Sequence, residues 1–415
     1  MRIALTVSLL FAAGSGAALL AQQDEKGWHL RVSDNLSLRY GDSFRLEPKL
    51  KLQTDFLGVD PRPSPNVDVF EFQRKRIGVE GRIFRDFEYE FEAELFTDQA
   101  TIRDAFVNYR RYRAAEIRAG RFKMPFGYDR LLPPSRLDFV FRSIVGRELA
   151  PGREIGAMVH GEFLEEGLRY QVGLFRHDGD DAYRGIEPAG GPTAAFRVRV
   201  APDRLISLPS VLKNLEAGVA VTDGSIDSDL GRTGLRSRSV FGQTYFPRQL
   251  VSGRRRRLGT ELGWARGPFS VVAEYARVWD QRREQGIGGE DLPAVVSRSG
   301  YVSGAWMITG ERKVGRVNPK KPFLQGGIGA VELAARWEAG HFGGNEIGFP
   351  ATNPRAENLA GASERAWTFG INWYVNRYVK IQPNLIRETL NHFYRSPMSE
   401  PQRMWIGVLR LQFAL

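Results

Sequence analysis

Hydrophobic and polar residues alternate along most of the chain with a period of two, in segments of about ten residues. The segment 44–56 carries Phe, Leu, Pro or Thr at every second position, with Arg, Glu, Lys, Gln or Asp between them. The segment 87–95 repeats the pattern, because four glutamates alternate with Phe, Tyr, Ala and Leu. Strands with one apolar and one polar face are typical of a transmembrane β-barrel, whose faces contact lipid and lumen.

The alternating segments together predict about sixteen strands, an even number as in outer-membrane barrels. The clearest segments are 44–56, 87–95, 155–163, 168–174, 258–264, 269–275, 331–339, 367–375, 379–385 and 405–415, and weaker ones are 70–83, 102–110, 115–122, 194–200, 215–221 and 300–308. A soluble β-sandwich also alternates, but Trp264, Trp367 and Trp405 near strand ends suit the aromatic girdles of a membrane barrel. We therefore expect an all-β fold, a transmembrane antiparallel β-barrel.

The connections between the segments differ in length. The short ones at 84–86 and 265–268 predict periplasmic turns. The long polar ones predict outer loops, at 57–69, 123–153, 176–192, 222–253, 279–297, 309–327 and 387–402. The segment 124–153 is unusually apolar, so we expect one loop folded into the lumen, where it narrows the pore. The alternative is a loop packed against a neighbouring subunit.

The start of the chain predicts export. Arg2, the apolar run from Ile3 to Leu20 and the small residue Ala21 have the layout of a secretory signal peptide; a retained transmembrane helix is the alternative. The predicted organisation is a signal peptide at 1–21, a short pre-barrel segment at 22–43 and the barrel at 44–415. We therefore expect the protein in the bacterial outer membrane. The sequence has no cysteine, which excludes disulfides and thiolate metal sites.

The charge of the chain suggests an anionic partner. The net charge is +11, and 49 of the 59 basic residues are arginine. A basic chain often binds nucleic acid, but for an exported protein we expect anionic solutes or lipopolysaccharide phosphates, which the arginine fork binds well. A narrow pore needs such charges at close quarters. The candidates on inward faces or on the inserted loop are Arg74, Arg76, Lys123, Arg130, Arg136, Arg142, Arg147 and Arg153.

A row of glutamates argues against strong anion selectivity. Glu88, Glu90, Glu92 and Glu94 line one face of a strand and need cationic partners. The plausible partners are Arg82, Arg85, Arg103, Arg110 and Arg111. We therefore expect about half of the candidate arginines to be paired within the barrel wall.

Several short motifs occur in an order typical of one family. They are Arg74–Gly81, Asp104–Tyr109, Gly120–Gly127, Gly267–Tyr275, Thr309–Glu311, Gly327–Arg336 and Gly370–Val375. Because of these motifs, the chain resembles the phosphate-selective porins of outer membranes over roughly residues 44–415. The resemblance implies a sixteen-stranded, homotrimeric barrel with an arginine-lined entrance and a constriction that holds phosphate.

The resemblance also implies particular site residues. The family's basic pair matches Arg74 with Lys75 or Arg76, and its acidic constriction residue matches Asp104. Its Ser-Lys pair on the inserted loop matches Ser135 and Arg136 if a one-residue insertion is allowed. The sequence departs from the family where Pro133-Pro134 replaces small hydroxyl residues and where the chain ends on Leu415 instead of Phe. The expected pore-lining or anion-binding set is Arg74, Lys75, Arg76, Asp104, Lys123, Arg130, Ser135, Arg136 and Arg142.

The expected function is an anion-preferring diffusion channel, possible solutes being phosphate, polyphosphate and similar anions. The alternatives are a general, weakly selective porin, a barrel adhesin or structural protein, and a barrel hydrolase. Five histidines without an H-E-x-x-H or G-x-S-x-G motif do not favour the hydrolase, and we expect neither catalysis nor a cofactor.

Two charged runs have open interpretations. Arg254–Arg257 could collect anions, contact lipopolysaccharide or be a solvated loop end. The run Asp178–Asp181 could bind calcium, although it lacks a recognised loop spacing and suits a plain polar loop better.

Overall fold

The computed structural model describes residues 27–31, 36–61, 70–95, 100–179, 190–227, 234–313, 315–344, 348–349, 353, 355–392 and 402–415. The predicted signal peptide lies outside the described residues. Within those ranges no helix is long and apolar enough to cross a membrane.

The described residues form almost entirely β-structure. The strands are β1 (Trp28–Arg31), β2 (Ser37–Tyr40), β3 (Phe44–Asp60), β4 (Phe70–Ile83), β5 (Phe87–Leu95), β6 (Ala100–Tyr109), β7 (Glu116–Lys123), β8 (Arg153–Phe163), β9 (Leu168–Phe175), β10 (Thr193–Val200), β11 (Leu215–Ile226), β12 (Ser237–Arg238), β13 (Thr244–Phe246), β14 (Gly253–Arg266), β15 (Phe269–Arg282), β16 (Leu292–Met307), β17 (Ala330–Phe342), β18 (Ala362–Tyr374), β19 (Val379–His392) and β20 (Gln402–Ala414). The helical pieces are the helix α1 (Tyr128–Leu131), single 3₁₀ turns at Pro134–Arg136, Pro202–Arg204, Ser210–Leu212 and Phe323–Gln325, and a π turn at Val145–Leu149.

Strands β3–β11 and β14–β20 form a closed antiparallel barrel of sixteen strands, as the sequence predicts. Each strand pairs with the next along the chain, and β20 closes the barrel on β3, with registers from Trp405 opposite Asp60 to Ala414 opposite Lys51. The N-terminal hairpin of β1 and β2 extends the sheet beside the first residues of β3. Closure leaves no unpaired strand edge in the lipid, where an unsatisfied main-chain group is costly.

The two faces of the barrel strands differ in chemistry. On β20, Trp405, Leu409 and Phe413 point outward and are exposed, whereas Arg410 and Gln412 point inward and are buried. An apolar outside and a polar inside reverse the arrangement of a soluble protein and suit contact with lipid.

The connections alternate between two rims of the barrel, and one prediction about them is wrong. The short turns lie at one rim and most long connections lie at the other. The connection between β16 and β17 was expected to be an outer loop over 309–327, but it lies at the short-turn rim. The direction of the strands explains this. β14 and β15 are joined by a short turn at that rim, so β15 runs away from it and the antiparallel β16 runs back to it.

Two long connections fold into the lumen instead of one. The first, residues 124–152, confirms the predicted inserted loop and is called here the constriction loop. The second, residues 234–252, is called the inner loop and contains the short hairpin of β12 and β13. Ile144 of the constriction loop and Tyr245 of the inner loop are fully buried in one apolar cluster with inward-facing wall residues such as Ile386.

Candidate pore constriction

The constriction loop is attached to the barrel wall through its main chain. The Glu274 carboxylate accepts hydrogen bonds from the main-chain N–H groups of Tyr128 (2.5 Å) and Asp129 (2.8 Å). Glu338 accepts from the N–H of Ile144 at 2.7 Å. Because a buried main-chain donor without a partner is costly, these wall carboxylates fix the path of the loop.

Wall cations satisfy carbonyl groups of the same loop, and a wall amide satisfies one of its N–H groups. Arg410 donates to the carbonyl of Val140 at 2.8 Å, and Lys380 donates to that of Leu137 at 2.8 Å. Asn384 completes the attachment by accepting from the N–H of Val140 at 2.8 Å. Since the wall occupies the main chain, the basic side chains of the loop are left to line the remaining lumen.

The inner loop is attached in the same way. Glu388 accepts from the N–H of Val240 at 3.0 Å, and Glu364 accepts from the hydroxyl of Tyr245 at 2.6 Å. Arg147 of the constriction loop donates to Glu364 and to the carbonyl of Arg238, and so connects the two loops. These carboxylates bind the loops and are absent from the lining of the cavity between the two loops.

The two loops and strands of one side of the barrel enclose a cavity of about 540 Å³. Eleven basic residues line it: Arg74, Arg76, Arg103, Lys123, Arg130, Arg142, Arg147, Arg153, Arg236, Arg238 and Arg248. Three acidic residues line it: Asp55, Glu71 and Glu148. This excess of positive charge in a narrow, partly desolvated space attracts anions more strongly than it would in bulk water.

Two cations in this lining have only neutral partners. Arg74 Nη1 donates to Gln53 Oε1 at 2.6 Å. Lys123 Nζ donates to the carbonyls of Leu131 (3.0 Å) and Leu132 (2.9 Å). No carboxylate of the described residues lies within 4 Å of either cation. Neither group is therefore held by a carboxylate, and both can donate to an anion in the cavity.

Other cations in the lining are paired with wall carboxylates. Arg76 lies between Glu94 (2.5 Å from Nε) and Glu92 (3.1 Å from Nη1). Arg153 forms a two-point ion pair with Asp104. The row of glutamates is thereby partly neutralised inside the wall, as the sequence predicts.

The expected partners of the glutamates are found for three arginines and not for two. Arg82 and Arg110 contact Glu88, and Arg103 lies 4.0 Å from Glu94. Arg85 and Arg111 instead lie 3.4 Å from aspartates at the short-turn rim. Lysines of β3 contribute partners that were not expected: Lys49 Nζ lies 2.6 Å from Glu90, and Lys51 contacts Glu92.

The structure places five of the nine expected site residues on the cavity: Arg74, Arg76, Lys123, Arg130 and Arg142. Arg142 donates to the carbonyls of Asp129 and Leu132, with 2.7 Å to the latter. Burial is the main cause that lowers the pKa of Arg142, to about 10, and its guanidinium is still charged at neutral pH. Asp104 is absent from the lining and lies behind Arg153, whose guanidinium it orients.

Lys75, one of the expected site residues, points away from the lumen. Lys75 lies opposite Leu52, which is exposed on the outer face of β3. Residues directly opposite on antiparallel strands share a face, so Lys75 points outward, and its Nζ lies 5.9 Å from the ring centre of Phe72. The alternation that turns Arg74 and Arg76 inward turns the residue between them to the lipid.

Ser135 and Arg136 do not line the main cavity. Both line a small crevice with Arg316 and Arg377, away from the main cavity. Within the 3₁₀ turn at Pro134–Arg136, the first residue, Pro134, lines the main cavity, whereas the two residues after it line the crevice. Proline has no N–H to offer an anion.

Sequence reasoning missed four basic residues of the lining. Arg103 was assigned only to pairing with a glutamate, and Arg236, Arg238 and Arg248 were not considered. The last three reach the cavity because the inner loop folds inward. Its apolar pairs Val240-Phe241 and Tyr245-Phe246 were the available signal.

The charged runs at the long-loop rim have structural partners. Arg255 and Arg257 are buried on the inner face and both contact Asp178, with 2.7 Å from Arg255 Nη1 to Oδ2. Asp178 is therefore occupied by cations and unsuited to calcium; Asp180 and Asp181 lie outside the described residues. Arg254 and Arg256 point outward and pair with Asp223 at 2.8 Å and 3.2 Å.

Comparisons with known proteins agree with this architecture. A model of the family described as phosphate-selective porin O and P matches residues 47–414. Porin O of Pseudomonas aeruginosa is 22% identical over 377 residues, which cover 83% of this chain and 82% of that protein.

Two solved structures are similar in fold. An anion-selective porin from Comamonas acidovorans superimposes with a TM-score of 0.55 at 11% identity, covering 90% of this chain and 100% of the other. The trimer form of OmpT, an outer membrane protein of Vibrio cholerae, gives a TM-score of 0.54 at 9% identity, with coverages of 90% and 100%.

Proposed function

The chain belongs to the phosphate-selective porin O and P family and is a porin of the outer membrane; on this premise we propose that it forms an anion-preferring diffusion channel that admits phosphate. The observation that carries the proposal is the cavity between the two inserted loops, which eleven basic and three acidic residues line. The similar porin from Comamonas acidovorans, which is anion-selective, supports the same preference.

The residues proposed to contact the anion are Arg74, Lys123 and Arg142. All three line the cavity, and their hydrogen bonds go to neutral oxygens; Arg142 Nη1 also lies 3.9 Å from Asp129 Oδ2. An anion can pass from one to the next without being held tightly, since conduction requires several weak sites. Asp104 is a positioning residue in this proposal, because it acts through Arg153.

A general, weakly selective porin is the second candidate. It is favoured by the wall pairing of Arg76 and Arg153, which leaves less charge for the solute. The proline in the position of a small hydroxyl residue also removes a donor that phosphate would use.

We further propose a homotrimer whose outer rim contacts lipopolysaccharide. The trimer form of the similar OmpT supports the first part. The exposed Arg254 and Arg256, at the long-loop rim, support the second. Native mass spectrometry of the purified protein should give three chains per particle with bound lipopolysaccharide; a monomer without lipid would contradict this arrangement.

Phosphate block of the chloride current in a planar bilayer tests the substrate. We expect millimolar phosphate to reduce the current, and Lys123→Gln to raise the half-blocking concentration by about tenfold, the effect of losing one charge-assisted hydrogen bond. Lys213→Gln, at an exposed lysine of the short-turn rim, is the control and should leave the block unchanged. If phosphate does not reduce the chloride current, phosphate is excluded as a solute of the channel, and the proposal of a general anion channel remains.

A further inference from the structure

The cavity that attracts anions also has an apolar side. Phe141 of the constriction loop, Phe241 of the inner loop and Leu57 of β3 line it together with the basic residues. All three are partly buried and pack with their remaining surface on the apolar cluster of the lumen. Each therefore presents part of its apolar surface to the space through which the solute passes.

Each inserted loop brings an aromatic ring and a guanidinium to the cavity close together along the chain. In the constriction loop these are the neighbours Phe141 and Arg142, and in the inner loop they are Phe241 and Arg238. Bare inorganic anions need only the guanidinium groups. An apolar surface beside them is useful to a solute that carries both a negative group and an apolar body.

Phe241 is held in place before any solute arrives. It lies in a turn closed by hydrogen bonds from the N–H of Gly242 to the carbonyl of Ser239 (3.0 Å) and from the N–H of Ser239 to the carbonyl of Gln243 (2.9 Å). The preceding residue, Val240, is attached to the wall through Glu388. With its main chain fixed in this way and its side chain partly packed on the apolar cluster, Phe241 loses little entropy when a solute packs on it.

The size and the wetting of the cavity fit an organic solute. Its volume of about 540 Å³ lies in the range of pockets that take small organic ligands, about 300–1,000 Å³. A purely apolar constriction would dewet and close the pore, but basic residues line this cavity beside Phe141 and Phe241.

From this juxtaposition we propose that the pore carries aromatic carboxylates, with the carboxylate on the arginines and the ring against Phe241 and Phe141. The proposal rests on the anion-preferring function proposed above and names a solute class for the same site. A flat ring can stack on a phenylalanine or on a guanidinium, and both groups line the cavity.

The test compares benzoate with acetate, which carry the same charged group, as blockers of the chloride current of the purified protein in a planar bilayer. We expect the half-blocking concentration of benzoate to be about fivefold lower than that of acetate, the effect of one aromatic contact. Phe241→Ser should make the two anions equal, whereas Phe241→Leu, which keeps an apolar side chain, should preserve most of the difference.

Phosphate block is measured on the same channels and should be unchanged in both variants, which shows that the pore remains folded. Equal block by benzoate and acetate in the unaltered protein would overturn the proposal, as would an undiminished benzoate advantage in Phe241→Ser. If phosphate block is intact, either of these two results contradicts only the aromatic carboxylate proposal and not the proposed anion channel. A channel that prefers cations would instead overturn the proposed function itself.

Discussion

Arg153 and Asp104 form a two-point ion pair inside the barrel wall, with Nε 2.9 Å from Oδ1 and Nη2 2.7 Å from Oδ2. Both residues are buried, and Arg153 also lines the cavity. The carboxylate thus fixes one cation of the lining while lying outside the path of the solute.

Breaking this pair should destabilise the barrel. Asp104→Asn leaves the Arg153 guanidinium buried without its counter-charge, so we expect the free energy of unfolding to fall by about 3 kcal/mol. Urea unfolding in lipid vesicles measures the change. Asp42→Asn is the control, because Asp42 and its partner Arg85 are largely exposed and should contribute little. Equal midpoints for the two variants would contradict the account.

The ion preference should change with pH through Glu148. This carboxyl lines the cavity 4.0 Å from Arg147 and 3.7 Å from Arg238, and its burial raises its pKa to about 7 against the effect of those arginines. As the pH falls from about 8 to about 6 the carboxyl is protonated, the lining loses a negative charge, and anion preference rises. Glu148→Gln should show the low-pH preference throughout this range. A variant that keeps the full pH dependence would exclude Glu148 as its cause.

Removing one attachment of the constriction loop should widen the pore. Glu274→Ala leaves the N–H groups of Tyr128 and Asp129 without their acceptor, so the start of the loop is expected to move. Single-channel recording should show a larger and noisier conductance than the unaltered protein. Glu357→Ala, at an exposed position of an outer loop, is the matched control. An unchanged conductance in Glu274→Ala would mean that the other attachments suffice.

The barrel was predictable because its signal is local. A strand between lipid and lumen must alternate, so the pattern of 44–56 or 405–415 identifies both the strand and its faces. The same rule, applied strictly to β4, would have turned Lys75 outward between Arg74 and Arg76. Lys75 is in the expected pore-lining set only because it matches the family's basic pair.

The remainder depends on contacts that are distant along the chain. Nothing near Asp104 in the sequence reveals that Arg153 will occupy its carboxylate, since the two are 49 residues apart. The inward path of the inner loop depends on acceptors such as Glu388, which lies 148 residues from the donor Val240. The sequence identifies candidate residues for the cavity. Which of these cations are paired, and which can act on a solute, is known only from the folded structure.

The zero-current potential of the purified channel under a KCl gradient tests the central claim most directly. The claim is that inward-facing cations, and not the net charge of the chain, set the ion preference. Arg74→Ala and Lys75→Ala remove one positive charge each from adjacent positions on opposite faces of β4. The account predicts anion preference in the unaltered protein, the same potential in Lys75→Ala, and a shift toward zero in Arg74→Ala. A cation-preferring potential, or equal shifts in the two variants, would contradict it.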